Sequence, residues 1–202
     1  MHPAAVVHAQ RKLENAERAL HNLRNAEDFS EIEREWSAFL MALGTIYTKL
    51  EQGSKLNNVS RGWFDQVKRE RREDKLLQYL HQARNAEEHG IEDITSRNAR
   101  ILRQPLKLPN GKTAELRISL PAGPEDLQLS EDGNETKLFD GLQRISSTVA
   151  LVPVKNHGTI FSVPDEHLGK PFAPVDPLAV AEAGYDYAAL LVSTAKAFSE
   201  LN

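Results

Sequence analysis

Apolar positions in the first hundred residues recur in steps of three and four. Leu13, Ala16, Leu20 and Leu23 fall on one helical face, and Ile32, Trp36, Phe39, Leu43, Ile46 and Leu50 continue the same rhythm further along. Pro3 stands where a first-turn proline is tolerated. Ser30 followed by Glu33 has the spacing of a capping box, which predicts the start of a second helix, and Gly53 is placed as its stop. A polar connection, Lys55 to Ser60, leads to Trp63, Phe64 and Val67 in a third helical region. A charged run, Lys68 to Lys75, connects that region to a last helix with Leu76, Leu80 and Ala83 on its core face, flanked by Leu77 and Tyr79 and closed by Gly90.

After about Arg100 the apolar runs shorten and proline and glycine become frequent. Ile101 to Leu108 and Ala114 to Leu120 flank Asn110-Gly111, a strong hairpin signal because both turn residues tolerate positive φ. Thr148 to Val154 and Thr159 to Val163 flank a second candidate turn, and the acidic stretch Glu125 to Gly141 reads as a loop. Asp176-Pro177 then has the form of an N-cap and first-turn proline. Val180, Gly184, Tyr187, Leu191, Thr194, Phe198 and Leu201 follow at helical spacing. The expected fold class is α+β: an antiparallel helical bundle over 1–98, a small antiparallel β region over 99–174 and a C-terminal helix over 175–202 that packs on the rest.

Composition narrows the functions open to this fold. The formal net charge of −4 excludes a generally basic nucleic-acid binder, so any RNA contact needs a local patch. With no cysteine, thiol and disulfide chemistry are excluded. The N-terminal residues lack the form of a signal peptide and no stretch reaches the length of a membrane span, so a cytoplasmic chain is expected. No histidine or acidic spacing supports a metal site, and no cofactor is expected.

One constellation can carry chemistry. Tyr79 to Gly90 reads YLHQARNAEEHG. His81, Asn85 and His89 are spaced i, i+4, i+8 and share a polar stripe opposite Leu76, Leu80 and Ala83. That stripe has to meet solvent, a ligand or a second subunit. Arg84 and His89 lie about 140° apart on a straight helix, so they converge only through a helix end, a kink or a partner across a twofold axis.

Arg84, Asn85 and His89, an Arg-x4-His pattern with a polar residue after the arginine, resemble the signature of the HEPN family. The setting is similar too: two long helices, a charged connector, then an aromatic- and leucine-bearing helix ending in the motif. The resemblance covers roughly residues 4–95. It implies a helical bundle, usually dimeric, with motif residues of two subunits lining a shared cleft. It further implies a metal-independent endoribonuclease, often a toxin or defence effector held by a cognate antitoxin or another partner protein. Some members are inactive.

The chemistry suits the residues. Metal-free RNA cleavage needs a base for the 2′-hydroxyl proton, an acid for the 5′-oxygen and positive charge at the phosphorus. Histidine titrates near neutrality, so His89 can be acid or base, while Arg84 matches phosphate in a bidentate way and Asn85 can orient either. His81 and Glu88 are placed as support. Lys68, Arg69, Arg71 and Arg72 are candidate phosphate contacts, although the carboxylates among them also fit a solvated face. Each motif residue has an ordinary reading as well: Arg84 paired with Glu88, Asn85 capping a turn with Glu88, and His89 at the negative helix end. The alternatives to a nuclease are a non-catalytic dimerisation or phosphate- or nucleotide-binding module, and a scaffold without a ligand.

Overall fold

A computed structural model describes residues 1–26, 29–89, 95–97, 100–107, 113–120, 149–156, 158–171 and 177–200. The chain divides into two compact units, one formed by Met1–Ser96 with Leu151–Asn202 and the other by Arg97–Ala150. The described residues are mostly helical, with small antiparallel strand pairs and a C-terminal helix.

In the larger unit the helices are α1 Pro3–Asn25, α2 Phe29–Ser54, α3 Asn58–Glu73, α4 Lys75–His89 and α5 Pro177–Glu200. Pro3 is the first residue of α1, and the His2 imidazole caps it by accepting from Ala4 N–H at 3.2 Å. The helical rhythm marks the core correctly: Leu13, Ala16, Leu20 and Leu23 of α1 are buried against Trp36, Phe39, Leu43, Ile46 and Leu50 of α2. Leu76, Leu77, Tyr79, Leu80 and Ala83 of α4 and Val180, Tyr187 and Leu191 of α5 complete it.

Three local expectations differ. Helix α2 begins at Phe29, so Ser30 lies inside the first turn rather than at the cap. Gly53 sits within α2, and a Cβ there would lie 2.4 Å from the Ala5 Cβ; the glycine permits close packing of the α1 start and does not stop the helix. The charged run is not a connector, since its residues through Glu73 form the second half of α3.

Asp74 alone separates α3 from α4. Its N–H bonds the Glu70 carbonyl at 2.9 Å, and its Oδ1 accepts from Leu77 N–H at 2.9 Å as the N-cap of α4. The same carboxylate accepts from Leu168 N–H at 2.6 Å, and the His167 Nδ1 lies 3.0 Å from its Oδ1. Leu168 and Gly169 form the two-residue turn between strands β7 Glu166–His167 and β8 Lys170–Pro171, both at positive φ (49° and 73°). A leucine is strained there, and the Asp74 bond holds it in place. Asp74→Ala removes the α4 N-cap and the carboxylate that holds the Leu168 turn and is expected to cost about 1–2 kcal/mol, read as a lower urea midpoint, while Asp74→Asn costs less.

Residues 151–156 and 158–171 pack along α4. The Tyr79 hydroxyl donates to the Val152 carbonyl at 2.8 Å, Asn156 Nδ2 donates to Gln82 Oε1 at 2.7 Å, and Lys75 pairs with Asp165 at 3.0 Å. Strands β5 Val154–Asn156 and β6 Thr159–Phe161 form the second expected hairpin, with Asn156 opposite Thr159.

In the smaller unit β2 Arg100–Lys107 pairs antiparallel with β3 Thr113–Leu120, as the Asn-Gly signal predicts. Two short strands, β1 Thr95–Arg97 and β4 Val149–Leu151, stand at the ends of the inserted segment. The expected acidic loop Glu125 to Gly141, the Asn110-Gly111 turn, Asp176 and Leu201 lie outside the described residues. Among the described residues no helix is long and apolar enough to cross a membrane.

Candidate functional site

Helices α2, α3, α4 and α5 enclose a cavity of about 70 Å³. Its polar lining is Tyr47 and Thr48 of α2, Arg71 of α3, and His81 and Arg84 of α4; Leu40, Leu43, Leu77 and Leu80 supply apolar walls. The cavity is small and partly open to solvent, with two arginines and a histidine in its wall.

Two glycines make the cavity possible. Gly44 lies in the interior of α2, where glycine is otherwise destabilising. A Cβ at Gly44 would approach Arg84 Nε to 2.8 Å and its Cδ to 3.3 Å, so the glycine makes room for the guanidinium stem. Gly184 does the same for α5, where a Cβ would meet Leu80 Cδ1 at 2.6 Å.

The polar groups are joined along α4. Arg84 Nη1 donates to Asn85 Oδ1 at 3.2 Å, and Asn85 Nδ2 lies 3.5 Å from His81 Nε2. The asparagine thus ties the arginine to the first histidine of the stripe. Across the cavity the Arg71 guanidinium carbon sits 4.9 Å above the Tyr47 ring, a cation–π contact. Burial pushes the Tyr47 hydroxyl above its ordinary range, with Arg71 opposing, and among the described residues this hydroxyl has no hydrogen-bond partner. The neighbouring Tyr187 hydroxyl donates to Glu70 Oε2 at 2.6 Å, and its pKa is raised by burial and by that bond.

His81 is the most perturbed imidazole described. Burial, then Arg71 and Arg84, push its pKa down to about 4. At neutral pH it is uncharged between two guanidinium groups. The unfolded chain takes up a proton near pH 6.5 and the folded chain only near pH 4, so stability is complete above about 6.5 and falls as pH drops toward 4. Urea midpoints at pH 7 and pH 5 test this: the decline is expected to be shallower in His81→Gln.

The motif residues are therefore partly brought together. Arg84, Asn85 and His81 form one linked set, with Arg84 and His81 in the cavity wall. His89 is the last residue of α4, and its side chain and that of Glu88 lie outside the described residues. Of the four candidate phosphate contacts, Arg71 joins the cavity, Lys68 is engaged by Asp65 at 2.7 Å and Glu51 at 3.7 Å, Arg69 donates to Gln66 at 2.7 Å, and Arg72 is exposed. Sequence reasoning missed Gly44, Tyr47 and Thr48. The one available signal was a glycine inside an otherwise unbroken helical pattern.

Among the described residues no three His, Asp or Glu side chains come together as a metal site requires. The chain matches no protein-family model, no curated protein and no solved structure.

Proposed function

We propose that the chain is a metal-independent endoribonuclease of the HEPN type, acting as a homodimer. The observation that carries this reading is the convergence of Arg71, Arg84 and His81 on one small cavity. Two guanidinium groups supply the charge that a phosphodiester needs as negative charge builds on its oxygens. His81, pushed down to about 4, is a weak base at neutral pH, so it orients the phosphate and Asn85 rather than moving protons.

His89 is assigned the proton transfer. Arg84 and His89 diverge by about 140° on a straight helix, and in the proposed dimer the His89 that serves a given Arg84 comes from the second subunit. In the reaction a base takes the 2′-hydroxyl proton, the 2′-oxygen attacks phosphorus, and the 5′-oxygen leaves with a proton from an acid. The product ends are a 2′,3′-cyclic phosphate and a 5′-hydroxyl. A toxin or defence role, with an antitoxin or other partner protein, accords with such an activity.

A second reading has an observation of its own. The cavity is built within one chain, and the imidazole in its wall is held neutral, which suits a phosphate- or nucleotide-binding module that does not cleave. Incubating labelled RNA with the protein in EDTA and identifying product ends decides between the two. Cyclic phosphate ends are expected from the nuclease; intact RNA that nonetheless binds the protein assigns the module.

A further inference from the structure

A second polar concavity runs between α1 and α2. This groove of about 470 Å³ is lined by four cations, Arg11, Lys12, Arg18 and Lys49, against one carboxylate, Glu14. None of the four makes an ion pair among the described residues: Arg18 reaches only Asn15, and Lys49 only Gln52. Arg24, Arg34, Lys68 and Lys75 are matched by carboxylates, and the other exposed cations of the unit, such as Lys55, Arg61 and Lys196, lie outside both the groove and the cavity. In a chain of net charge −4 the groove carries four cations to one carboxylate.

Arg11 and Arg18 stand two turns apart on α1, so the cations follow the groove at helical intervals of about 5.4 Å per turn. A repeating anion meets such a row better than a single one. A flat anionic membrane cannot enter a concave channel, whereas an extended polynucleotide backbone can.

The groove is also next to the cavity. Thr45 and Lys49 line the groove, and their immediate neighbours in α2, Gly44 and Thr48, line the cavity that holds Arg84. A strand in the groove therefore needs to cross only the width of one helix to present a phosphate to Arg71 and Arg84.

We propose that the α1–α2 groove is the track for the backbone of single-stranded RNA, binding phosphates without reading sequence. The choice of RNA rests on the nuclease reading above. The same charge term predicts the salt response: each phosphate neutralised on a single strand contributes about 0.7 to the slope of log affinity against log salt.

The test uses a fluorescein-labelled 2′-O-methyl oligouridine 12-mer, which cannot be cleaved through a 2′-hydroxyl, in anisotropy titrations at several salt concentrations. The wild type is expected to bind it. Arg11→Ser/Lys12→Ser/Lys49→Ser alters side chains at the groove and is expected to flatten the slope by about 2 and to weaken binding about a hundredfold at 0.1 M salt. Lys55→Ser/Arg61→Ser/Lys196→Ser removes the same charge from exposed sites outside the groove lining and is expected to keep the wild-type slope. Thermal melts confirm that both variants fold.

Absence of binding by the wild type, or equal losses in both triple variants, overturns the groove assignment. So does groove-dependent capture of a polyglutamate peptide or of phosphatidylserine vesicles in place of the RNA. Cleavage of ordinary RNA separates the two proposals. Groove-dependent binding with no cleavage refutes the nuclease alone, and undiminished cleavage by the groove variant refutes the track alone.

Discussion

Replacing Arg84 by methionine is expected to slow RNA cleavage by about a hundred- to a thousandfold while the helical unit stays folded. The magnitude is that of losing one preorganised charge at the reacting phosphate. Methionine keeps an unbranched stem against Gly44, where the arginine Cγ and Cδ pack, so the loss concerns charge and not shape. Arg84→Lys restores the charge without the planar fork and is expected to recover only part of the rate. The comparison is made on initial cleavage rates of one labelled RNA, with thermal midpoints measured alongside. If Arg84→Met cleaves at the wild-type rate, the guanidinium does not contact the scissile phosphate.

The largest effect on stability is expected from Trp36→Ala. Trp36 is fully buried in α2, with its ring centroid 6.2 Å from that of Phe39. Removing a buried ring of this size deletes its transfer free energy and leaves a cavity that rigid neighbouring helices only partly close, at a cost of about 3–5 kcal/mol. Against a net stability of roughly 5–15 kcal/mol for a typical domain, that is a large share of the whole. The expected result is a much lower urea midpoint with nearly unchanged slope. Its indole N–H has no hydrogen-bond partner among the described residues, so the expected loss is one of packing. A shift below about 1 kcal/mol contradicts the burial of Trp36 in the helical core.

Where the fold depends on local periodicity, the residues announced it. The stripes through Leu13 and Leu23, through Trp36 and Leu50, and through Leu76 and Ala83 are the buried faces of α1, α2 and α4. The strands that flank Asn110-Gly111 and His157-Gly158 in sequence do pair. The errors came where a local signal has two uses. Ser30 with Glu33 matches a capping box, yet the helix starts one residue earlier. Gly53 matches a helix stop, yet its role is to admit Ala5. The mixed charges after Val67 suggest a connector, but they serve as the exposed flank of α3, where alternating signs are well solvated.

The site divides the same way. Arg84, Asn85 and His81 lie within five residues of one another, so a helical wheel brings them together. Tyr47 and Gly44 belong to a different helix and look like core positions until α2 is laid against α4. Arg71 was flagged only as one cation among several, and what singles it out is the Tyr47 ring beneath it. No one-dimensional pattern records a cross-helix contact. The Asp74 carboxylate is a similar case, since its partners Leu77 and Leu168 lie on opposite sides of the inserted segment.

The most direct test of the central claim is single-turnover cleavage of an end-labelled RNA in EDTA by wild type and His89→Ala side by side, with end-group analysis. The account predicts cleavage by the wild type with 2′,3′-cyclic phosphate and 5′-hydroxyl ends, and its loss in His89→Ala. Equal cutting by the two proteins, or no cutting of any of several RNAs by the wild type, contradicts it.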